Sequence, residues 1–391
     1  MSARAIGRFD FARNPQIRFG WGRRSELGEV CGEFGATSGL LVIGSRTLVR
    51  LGEEKRLCFA LRDSGVVVGR PSVVVSGEPT VELIDELTNE IRPDTPDVIV
   101  AVGGGAAMDT AKALAATLAD PDWSGVREFL EGVGSGKPID FPTIPVVVLP
   151  TTGGTGAEVT KNAVITSYAP PFKKSMRSPQ LVPRCAIVDP ELSAHASRET
   201  TVAAGMDALT QNVESLLSNR STAISAALAA DGASWAWQGL SMFADGTDDR
   251  IVRESLALAA LQSGLALANS GLGLAHGVAA ALGSHCRVPH GLACAVMLPT
   301  ALEVNRSMLA SGWSQLAAAW GLNNDGDPSQ PVIDNVRRLS AKLNVPTRLR
   351  DLGVERSQLV AIARDSRGNS MTANPVQLSD DRLLAVLTEV F

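Results

Sequence analysis

The first half of the chain alternates short, almost wholly apolar runs with longer segments of helical spacing. Five of these runs are rich in β-branched residues and are predicted to form buried strands: Leu40 to Gly44, Val66 to Val75, Val98 to Val102, Val146 to Leu149 and Ala186 to Asp189. Runs that are apolar on both faces are typical of covered parallel strands, and the intervening segments are long enough for crossover helices. The pattern predicts an α/β domain built on a parallel sheet.

The pattern changes after Asp189 and Pro190. From about Ser197 to the end, Ala- and Leu-rich segments have helical spacing and are interrupted by Gly and Pro, and no further strand is predicted. A chain of 391 residues has room for two or three domains. We therefore predict an α/β domain over residues 1–192 and an all-helical domain over residues 193–391.

Composition and charge exclude several classes of protein. Hydrophobic residues make up 45% of the chain and charged residues 20%, which is ordinary for a globular protein and excludes a disordered or collagen-like chain. Lys and Arg number 36 against 41 Asp and Glu, without a basic block, so nucleic acid is not an expected partner. The sequence has no long uninterrupted apolar stretch, and its first fifteen residues lack the apolar core of a signal peptide. We expect a cytoplasmic protein without a membrane partner.

The cysteines give no sign of a cross-linked framework. They are five in number and widely spaced, and no two form a CxxC pair: Cys31, Cys58, Cys185, Cys286 and Cys294. Neither a disulfide scaffold nor a thiolate zinc site is indicated by this spacing. Reduced, mostly buried thiols are expected.

A glycine triplet follows one of the predicted strands. The apolar run 97–102 leads into Gly103, Gly104 and Gly105, and an Ala/Leu-rich helical pattern starts at Ala106. Without Cβ atoms, the backbone N–H groups of Gly104, Gly105 and Ala106 can approach a pyrophosphate closely, and the helix dipole adds partial positive charge. The triplet is not a GxGxxG motif, and a tight strand-to-helix turn without a ligand explains it equally well on its own.

A second turn of small residues, from Leu149 to Glu158, also follows a predicted strand and offers clustered hydroxyl groups and backbone donors. Loops that follow neighbouring parallel strands face the same crevice of the sheet. Taken together, the two turns favour an anionic cofactor site over two purely structural turns.

Polar residues occupy regular positions in the helical half. An apolar stripe from Met206 to Leu217 places Asp207 and Gln211 one turn apart on a neighbouring helix face. His276 and His290 lie among small apolar residues further along the chain. Imidazole and carboxylate together form a common ligand set for Fe²⁺ or Zn²⁺. The spacing alone does not separate such a site from hydrogen-bonded core histidines.

Several motifs resemble those of the iron-containing (group III) alcohol dehydrogenases, in the same order and over nearly the whole chain. They are the Gly103 triplet with Asp109 and Lys112, the segment Thr151 to Glu158, Asp189 with Pro190, the segment Gly205 to Thr210, the His276 and His290 segments, and Thr372 to Pro375. The resemblance implies an N-terminal α/β, Rossmann-like dinucleotide-binding domain plus an all-α C-terminal domain, the dehydroquinate synthase-like fold. It also implies catalysis in the cleft between the two domains.

The resemblance assigns roles to individual positions. Four residues fall on metal-ligand positions: Asp207, Gln211, His276 and His290. Of these, Asp207, His276 and His290 are expected to be catalytic. Nine residues fall at or beside cofactor-contacting positions: Gly104, Gly105, Ala106, Asp109, Thr151, Thr152, Thr155, Asn162 and Lys173.

The chain departs from the family pattern at two positions near the expected metal. Gln211 stands where the family has a histidine, and a neutral amide oxygen is usually a weaker donor than imidazole, which predicts weaker iron binding. Ala280 stands where the family often has a further histidine near the substrate. His285 is an alternative for that role, and a surface or core role for His285 explains it equally well.

A third difference concerns the cofactor. NAD-preferring relatives commonly place an aspartate shortly after the strand that ends near Ile43, and here Ser45 occupies that position beside Arg46. A hydroxyl group next to a guanidinium group favours the 2′-phosphate of NADP(H), and we predict that preference. The alternative is that Arg46 is simply solvated.

These observations predict an NAD(P)-dependent oxidoreductase that interconverts an alcohol and an aldehyde or ketone by hydride transfer assisted by Fe²⁺ or Zn²⁺. Three alternatives stay open: a metal-free NAD(P)H reductase of the maleylacetate reductase type, a lyase or cyclase of the dehydroquinate synthase type, and a non-catalytic dinucleotide-binding paralogue. The expected partners are a small alcohol or aldehyde and further copies of the chain, in a homodimer or larger homo-oligomer. A basic cluster of Lys161, Lys173, Lys174 and Arg177 either attracts an anionic substrate or is a solvated face.

Overall fold

The computed structural model of the chain describes residues 8–308, 310–322 and 326–391. Residues 1–7 lie outside the described residues. They belong to the first fifteen residues, for which the sequence predicts no signal peptide. The chain divides into two compact units. The sheet unit contains Arg13–Thr152 and Ala157–Ala196, and the helical unit contains residues 8–12 together with Gly153–Gly156 and Ser197–Phe391.

The sheet unit is built on parallel strands. Its strands are β1 (Gln16–Phe19), β2 (Gly39–Ile43), β3 (Val73–Val74), β4 (Val98–Gly103), β5 (Val146–Pro150), β6 (Asn162–Tyr168), β7 (Pro171–Arg177) and β8 (Cys185–Val188). Six of them form one parallel sheet in the order β1-β8-β5-β4-β2-β3, and β6 pairs with β7 in a separate antiparallel hairpin. The strands β2, β4, β5 and β8 are buried along their whole length, as expected of a parallel sheet covered on both faces.

The helices of the sheet unit connect and cover these strands. They are α1 (Leu27–Glu33), α2 (Arg46–Arg50), α3 (Glu53–Asp63), α4 (Val81–Ile91) and α5 (Gly105–Ala119). The register pairs Ile43 of β2 with Val102 of β4, and Val102 with Leu149 of β5. The carboxyl ends of these three strands therefore lie side by side, and the loops that follow them start from the same edge of the sheet.

Four of the five predicted strands are confirmed to within one residue at each end. The prediction of a strand over Val66–Val75 is wrong for most of its length, since only Val73–Val74 pair as a strand. Pro71 has no N–H group to donate to a ladder and interrupts the run. Strand β1 was not predicted because it is a half-exposed edge, and the hairpin was missed because polar residues interrupt its apolar ones.

The helical unit is all-α over its described residues, as predicted. Its helices are α6 (Arg198–Leu217), α7 (Ala223–Ala244), α8 (Arg250–Ser270), α9 (Leu274–Cys286), α10 (His290–Val304), α11 (Ala310–Ala319), α12 (Ser329–Lys342), α13 (Leu359–Asp365) and α14 (Asp380–Glu389). One apolar core of Leu, Val and Ala side chains joins most of them. Helix α6 is buried continuously from Gly205 to Leu217, polar residues included. A buried polar side chain needs a hydrogen-bond partner or a ligand, so the buried polar residues of α6 are candidates for a binding site.

Within the described part of the chain, one helix, α8, is long and apolar enough to cross a membrane by length and composition. Buried residues make up 61% of its most apolar window. Core helices of globular proteins have the same properties, and α8 packs in the apolar core of the helical unit.

Candidate functional site

The glycine triplet forms the turn between β4 and α5. Gly103 ends the strand, and Gly104 is the N-terminal cap of the helix. A Cβ atom on Gly103 would lie 2.7 Å from the Cβ of Ala107 and 2.8 Å from the Cα of Gly44, so only glycine fits this position. The first N–H groups of a helix have no partner within it, and the dipole makes this end positive. The turn is therefore suited to bind an anion such as a pyrophosphate.

The second predicted turn is divided between the two units. Thr151 donates its backbone N–H to the carbonyl oxygen of Gly103 over 3.0 Å, and Thr152 lies beside the glycine turn. The next four residues, Gly153–Gly156, belong to the helical unit. A Cβ atom on Gly156 would lie 2.5 Å from the Cα of Gly264 in α8. Thr155 is thus held by the helical unit, whereas the two preceding threonines are held by the sheet unit.

Ser45 and Arg46 follow β2 after one intervening residue, Gly44, which packs against the glycine turn. The neighbouring Gly44 packs so closely that a Cβ atom there would lie 2.9 Å from the Cα of Gly103. Ser45 is the N-terminal cap of α2, and its hydroxyl oxygen accepts a hydrogen bond from the N–H of Thr47 over 2.9 Å. Arg46 is exposed, so its guanidinium group is accessible to a ligand.

Lys112 of the glycine-triplet motif and the predicted cofactor residue Lys173 both have partners inside the sheet unit. Lys112 is fully buried, and its Nζ donates to the carbonyl oxygens of Ala157, Thr160 and Asn162 over 2.5 to 3.1 Å. Lys173 pairs with Glu78 over 2.9 Å. These contacts attach α5 and the β6–β7 hairpin to the rest of the unit, and the role of Asn162 and Lys173 toward a cofactor stays a prediction.

Burial shifts the pKa values of three neighbouring groups, Lys112, Glu158 and Asp109. It lowers the pKa of Lys112 to about 8, and it raises the pKa of Glu158 to about 7. It also raises the pKa of Asp109 to about 6, against the opposing charge of Lys112. Asp109 accepts a hydrogen bond from the backbone of Val164 in the hairpin, and its role toward a cofactor stays a prediction.

A second cluster of polar atoms lies inside the helical unit. Asp207 on α6, His276 on α9 and His290 with Cys294 on α10 each direct one ligand atom to a common point, and these atoms all lie within 4.8 Å of one another. The Nε2 of His276 is 3.3 Å from Oδ1 of Asp207, and the Nε2 of His290 is 3.9 Å from it. The structure thus brings together three of the four predicted metal ligands and adds Cys294.

Glu214 fixes the orientation of His276. Its carboxylate accepts hydrogen bonds from the N–H groups of Gly273 and Ala275, at 3.0 and 2.6 Å, and from Nδ1 of His276 at 2.7 Å. A carboxylate at the first turn of α9 is favoured by the helix dipole. Nδ1 faces this carboxylate and Nε2 faces Asp207, so a neutral imidazole that donates from Nδ1 has its Nε2 lone pair available to a metal ion. A carboxylate behind a histidine in this way is typical of metal sites.

A glycine brings the other histidine to Asp207. Gly291, at the start of α10, packs against α6 so closely that a Cβ atom there would lie 2.3 Å from the carbonyl oxygen of Ala203. The preceding residue, His290, is therefore held beside Asp207. Any larger residue at position 291 would push α10 away from α6.

The cluster has unmet hydrogen-bonding capacity. Neither Oδ1 of Asp207 nor Nε2 of His276 has a hydrogen bond of normal geometry among the described residues, although both atoms are buried. Two ligands of a tetrahedral zinc ion, each about 2.0 Å from it, lie about 3.3 Å apart, which is the separation of these two atoms. The donor types and their spacing both fit a divalent metal ion.

The charges around the cluster favour a cation. Burial lowers the pKa of the His276 imidazole, but its interactions with Cys294, Asp207 and Glu214 outweigh burial and raise this pKa well above its usual value. Burial raises the pKa of Asp207, whereas His290 and His276 lower it below its usual value. A proton on His276 or a divalent ion at the common point satisfies the same negative groups.

Gln211 lies one turn after Asp207 on α6. Its Nε2 donates to the carbonyl oxygen of Thr155 over 3.0 Å and to Oγ of Ser263 over 2.7 Å. Both hydrogens of the amide are therefore engaged, and Oε1 is the one atom of the side chain that can coordinate a metal. Its role as a ligand stays a prediction.

Sequence reasoning missed Cys294, which lies one turn after His290 on α10. The signal was present, since residues four apart on a helix share a face. A single cysteine forms no CxxC pair, so the spacing of the cysteines did not indicate a thiol beside the histidines. His285 pairs with Asp365 over 2.7 Å and lies nine residues after His276, about 13 Å along the helix, which favours a structural role.

Comparisons relate the chain to proteins of known activity. The family described as iron-containing alcohol dehydrogenase matches residues 14–190, and the C-terminal part of the Fe-containing alcohol dehydrogenase family matches residues 201–391. The chain is 30% identical over 357 residues to a probable alcohol dehydrogenase, EutG, of Escherichia coli strain K12, with 89% of this chain and 88% of the relative covered. It is 29% identical over 328 residues to lactaldehyde reductase of the same strain, with 83% and 84% covered.

A solved structure extends the likeness to the whole chain. Sulfoacetaldehyde reductase from Bifidobacterium kashiwanohense, in complex with NAD⁺, has a TM-score of 0.86 and 28% identity to this chain. The likeness covers 98% of this chain and 99% of the other. The predicted fold, a Rossmann-like α/β domain followed by an all-α domain, is confirmed.

Proposed function

The chain belongs to the iron-containing alcohol dehydrogenase family and is a nicotinamide-dependent oxidoreductase acting between alcohols and aldehydes or ketones, and we propose that a divalent metal ion assists its hydride transfer. Asp207, His276 and His290 hold this ion. The observation that carries the proposal is the pair of buried ligand atoms, Oδ1 of Asp207 and Nε2 of His276, which face each other at 3.3 Å without a hydrogen bond of normal geometry.

The ion, Glu214 and the burial of the ligands have separate roles in this proposal. A divalent ion bound here supplies Lewis acidity, which stabilises alkoxide character on the substrate oxygen during hydride transfer. Glu214 holds the ring proton of His276 at Nδ1 and thereby keeps the lone pair of Nε2 available to coordinate the ion. Burial of Asp207 and His276 excludes bulk water, which strengthens the electrostatic interactions inside the site.

The proton that reaches the product alcohol has no side-chain donor at position 280. Ala280 has no titratable group, and His285 is paired with Asp365. We therefore assign the proton transfer to water or to a ribose hydroxyl of the cofactor. The protein contributes position and charge, and the cofactor contributes the hydride.

The glycine turn and the residues after β2 form the proposed cofactor site. The N–H groups of Gly104, Gly105 and Ala106 bind the pyrophosphate, with the hydroxyls of Thr151 and Thr152 beside them. Ser45 and Arg46 face the ribose end, where the exposed guanidinium group of Arg46 pairs with a 2′-phosphate. This arrangement favours NADP(H) over NAD(H).

Ser45 offers a clean test of the cofactor preference, because aspartate and asparagine are both good helix caps. We expect wild-type protein to have a higher kcat/KM with NADPH than with NADH. S45D should lower kcat/KM for NADPH by about tenfold or more, since like-charge juxtaposition costs several kcal/mol. S45N keeps the cap without the charge and should keep the preference. Equal kcat/KM for the two cofactors in the wild type would remove the argument.

Other properties belong to the same proposal. We propose a small-molecule alcohol or aldehyde as substrate, a cytoplasmic location and a homodimeric or larger assembly. The domain bounds 1–192 and 193–391 stay predictions. In the basic cluster, Lys173 and Arg177 pair with Glu78 and Glu131, which favours a structural face over a dedicated site for an anionic substrate.

A further inference from the structure

Cys294 directs its sulfur at the metal cluster. It lies on α10 one turn after His290, is fully buried, and its Sγ is 3.7 Å from Nε2 of His290. The same sulfur lies within 4.8 Å of the ligand atoms of Asp207 and His276. The thiol therefore borders the two buried atoms that lack normal hydrogen bonds, on the side of α10.

Other buried thiols of the chain show what a purely structural cysteine looks like here. Cys31 and Cys185 are also fully buried, but they lie in the apolar core of the sheet unit among Leu, Val and Ile side chains. A free cysteine in such surroundings behaves as a small hydrophobic residue. Cys294 differs because two imidazoles and a carboxylate surround its sulfur.

Gln211 is a weaker candidate than Cys294 for the fourth ligand of the metal. Its two amide hydrogens are donated to Thr155 and Ser263, and the Ser263 hydroxyl donates its own proton to the carbonyl oxygen of Ala260 over 2.8 Å. These bonds tie the amide to neighbouring backbone and side-chain groups. Its remaining oxygen is neutral, whereas a thiolate carries a full charge and is a much stronger ligand for zinc.

We propose that the Cys294 thiolate is the fourth protein ligand of the metal, in a set with Asp207, His276 and His290. The proposal rests on the proposed function, since it concerns the same metal. On binding, a bond forms between Sγ and the ion, and the thiol proton is released to solvent. A set of two imidazoles, one carboxylate and one thiolate favours zinc over ferrous iron, because sulfur is a soft ligand. The Lewis acidity of the proposed function then requires a fifth position for the substrate oxygen, to which catalytic zinc sites can expand.

Cobalt provides a readout of the sulfur ligand that does not depend on activity. Zinc is spectroscopically silent, but Co²⁺ occupies the same type of site, and a sulfur ligand gives it a charge-transfer band in the near ultraviolet. We expect the metal-free wild-type protein titrated with Co²⁺ to show this band together with visible d–d bands. The variants C294S and C294A should lose the charge-transfer band and bind Co²⁺ more weakly.

A matched cysteine variant controls for general effects of thiol removal. Cys286 is half-buried at the end of α9 and donates to Gln358 over 3.4 Å, away from the cluster. C286S should keep the charge-transfer band unchanged. Circular dichroism of each variant checks that loss of the band does not come from unfolding, and the wild-type spectrum tests the proposal without any variant.

The outcomes separate this proposal from the proposed function. Visible Co²⁺ bands without a charge-transfer band in the wild type would show a metal site with no sulfur, and would overturn the role of Cys294 alone. A charge-transfer band that persists in C294A would overturn that role as well. No Co²⁺ spectrum at all in the wild type would overturn both the sulfur ligand and the metal-assisted mechanism.

Discussion

The glycine turn of the sheet unit and the metal cluster of the helical unit are built from different parts of the polypeptide. The turn consists of backbone groups that are contiguous in the sequence, from Gly103 to Ala106. The cluster consists of side chains from α6, α9 and α10, held by the packing of these helices. One site is therefore defined by the absence of Cβ atoms, and the other by which side chains tertiary packing brings together.

This difference determines how each site can change. A backbone site uses N–H groups that every residue except proline has. Substitutions around it therefore leave its chemistry unchanged, provided that no new side chain occupies the space that the glycines leave open. A side-chain site can change its ligand set through a single position, and this chain has Gln211 at a predicted ligand position and the Cys294 thiol beside the other three. The metal cluster is accordingly where we expect this chain to differ chemically from its relatives.

The largest expected effect comes from removing a ligand of the cluster. H276A deletes the donor that Glu214 orients, and we expect kcat/KM to fall by about 10³-fold, since metal Lewis acidity is worth several kcal/mol. H285A is the matched control, because His285 lies on the same helix but pairs with Asp365. Steady-state kinetics with an aldehyde and NADPH measure both variants. A comparable loss in H285A would mean that the effect comes from α9 and not from the cluster.

A smaller effect is expected from changing Glu214, which orients His276 through Nδ1. In E214Q the side chain keeps one acceptor oxygen and presents a donor to the N–H groups of Gly273 and Ala275, so His276 loses its fixed orientation. We expect metal affinity to fall about 10–100-fold, which is usual for a partner of a ligating histidine. A competition titration with a chelating dye measures this affinity. Unchanged affinity would show that Glu214 only caps α9.

The glycine turn should respond to added volume and not to altered chemistry. In G103A the new methyl group meets backbone atoms of Gly44, and we expect unfolding free energy to fall by about 1–3 kcal/mol together with loss of NADPH binding. G69A is the control, because a Cβ atom there meets nothing within 4 Å. Urea unfolding and NADPH fluorescence give the two readouts. Full stability and binding in G103A would contradict the close packing of β2 and β4.

The smallest effect concerns the start of β4. Hydrogen bonds from Thr37 and Ser38 lower the pKa of Asp97 to about 2. A carboxyl whose pKa is lower in the folded state contributes stability above its ordinary pKa, and this contribution is lost as the pH falls toward 2. D97N should therefore show a shallower loss of Tm than the wild type between pH 5 and pH 3. Identical slopes would show that Asp97 does not anchor the strand.

The sequence was sufficient where structure depends on local pattern. Strands that are apolar on both faces and a turn that needs glycine leave a direct signal, so β2, β4, β5, β8 and the glycine turn were predicted. The half-exposed edge strand β1 and the β6–β7 hairpin leave a weaker signal and were missed. The assignment of Gly153–Gly156 to the helical unit depends on close contact with α8, which no local pattern contains.

The metal cluster was predictable only in part. Asp207, His276 and His290 were identified through motifs, and the structure places their ligand atoms together. Glu214 was visible as a carboxylate on α6, but its position at the first turn of α9 required the packing of the two helices. The spacing of Cys294 from His290 was visible in the sequence, but its position beside Asp207 and His276 also required the packing of these helices. Side chains from distant helices become neighbours through tertiary packing, which a single sequence does not specify.

Elemental analysis of protein purified without oxygen or chelator tests most directly the claim that this oxidoreductase uses a metal held by the helical unit. We expect about one zinc or iron ion per chain, as a site of this ligand set implies, and its loss in H276A. Absence of any divalent metal, both as purified and after reconstitution with zinc or ferrous iron, would contradict the claim.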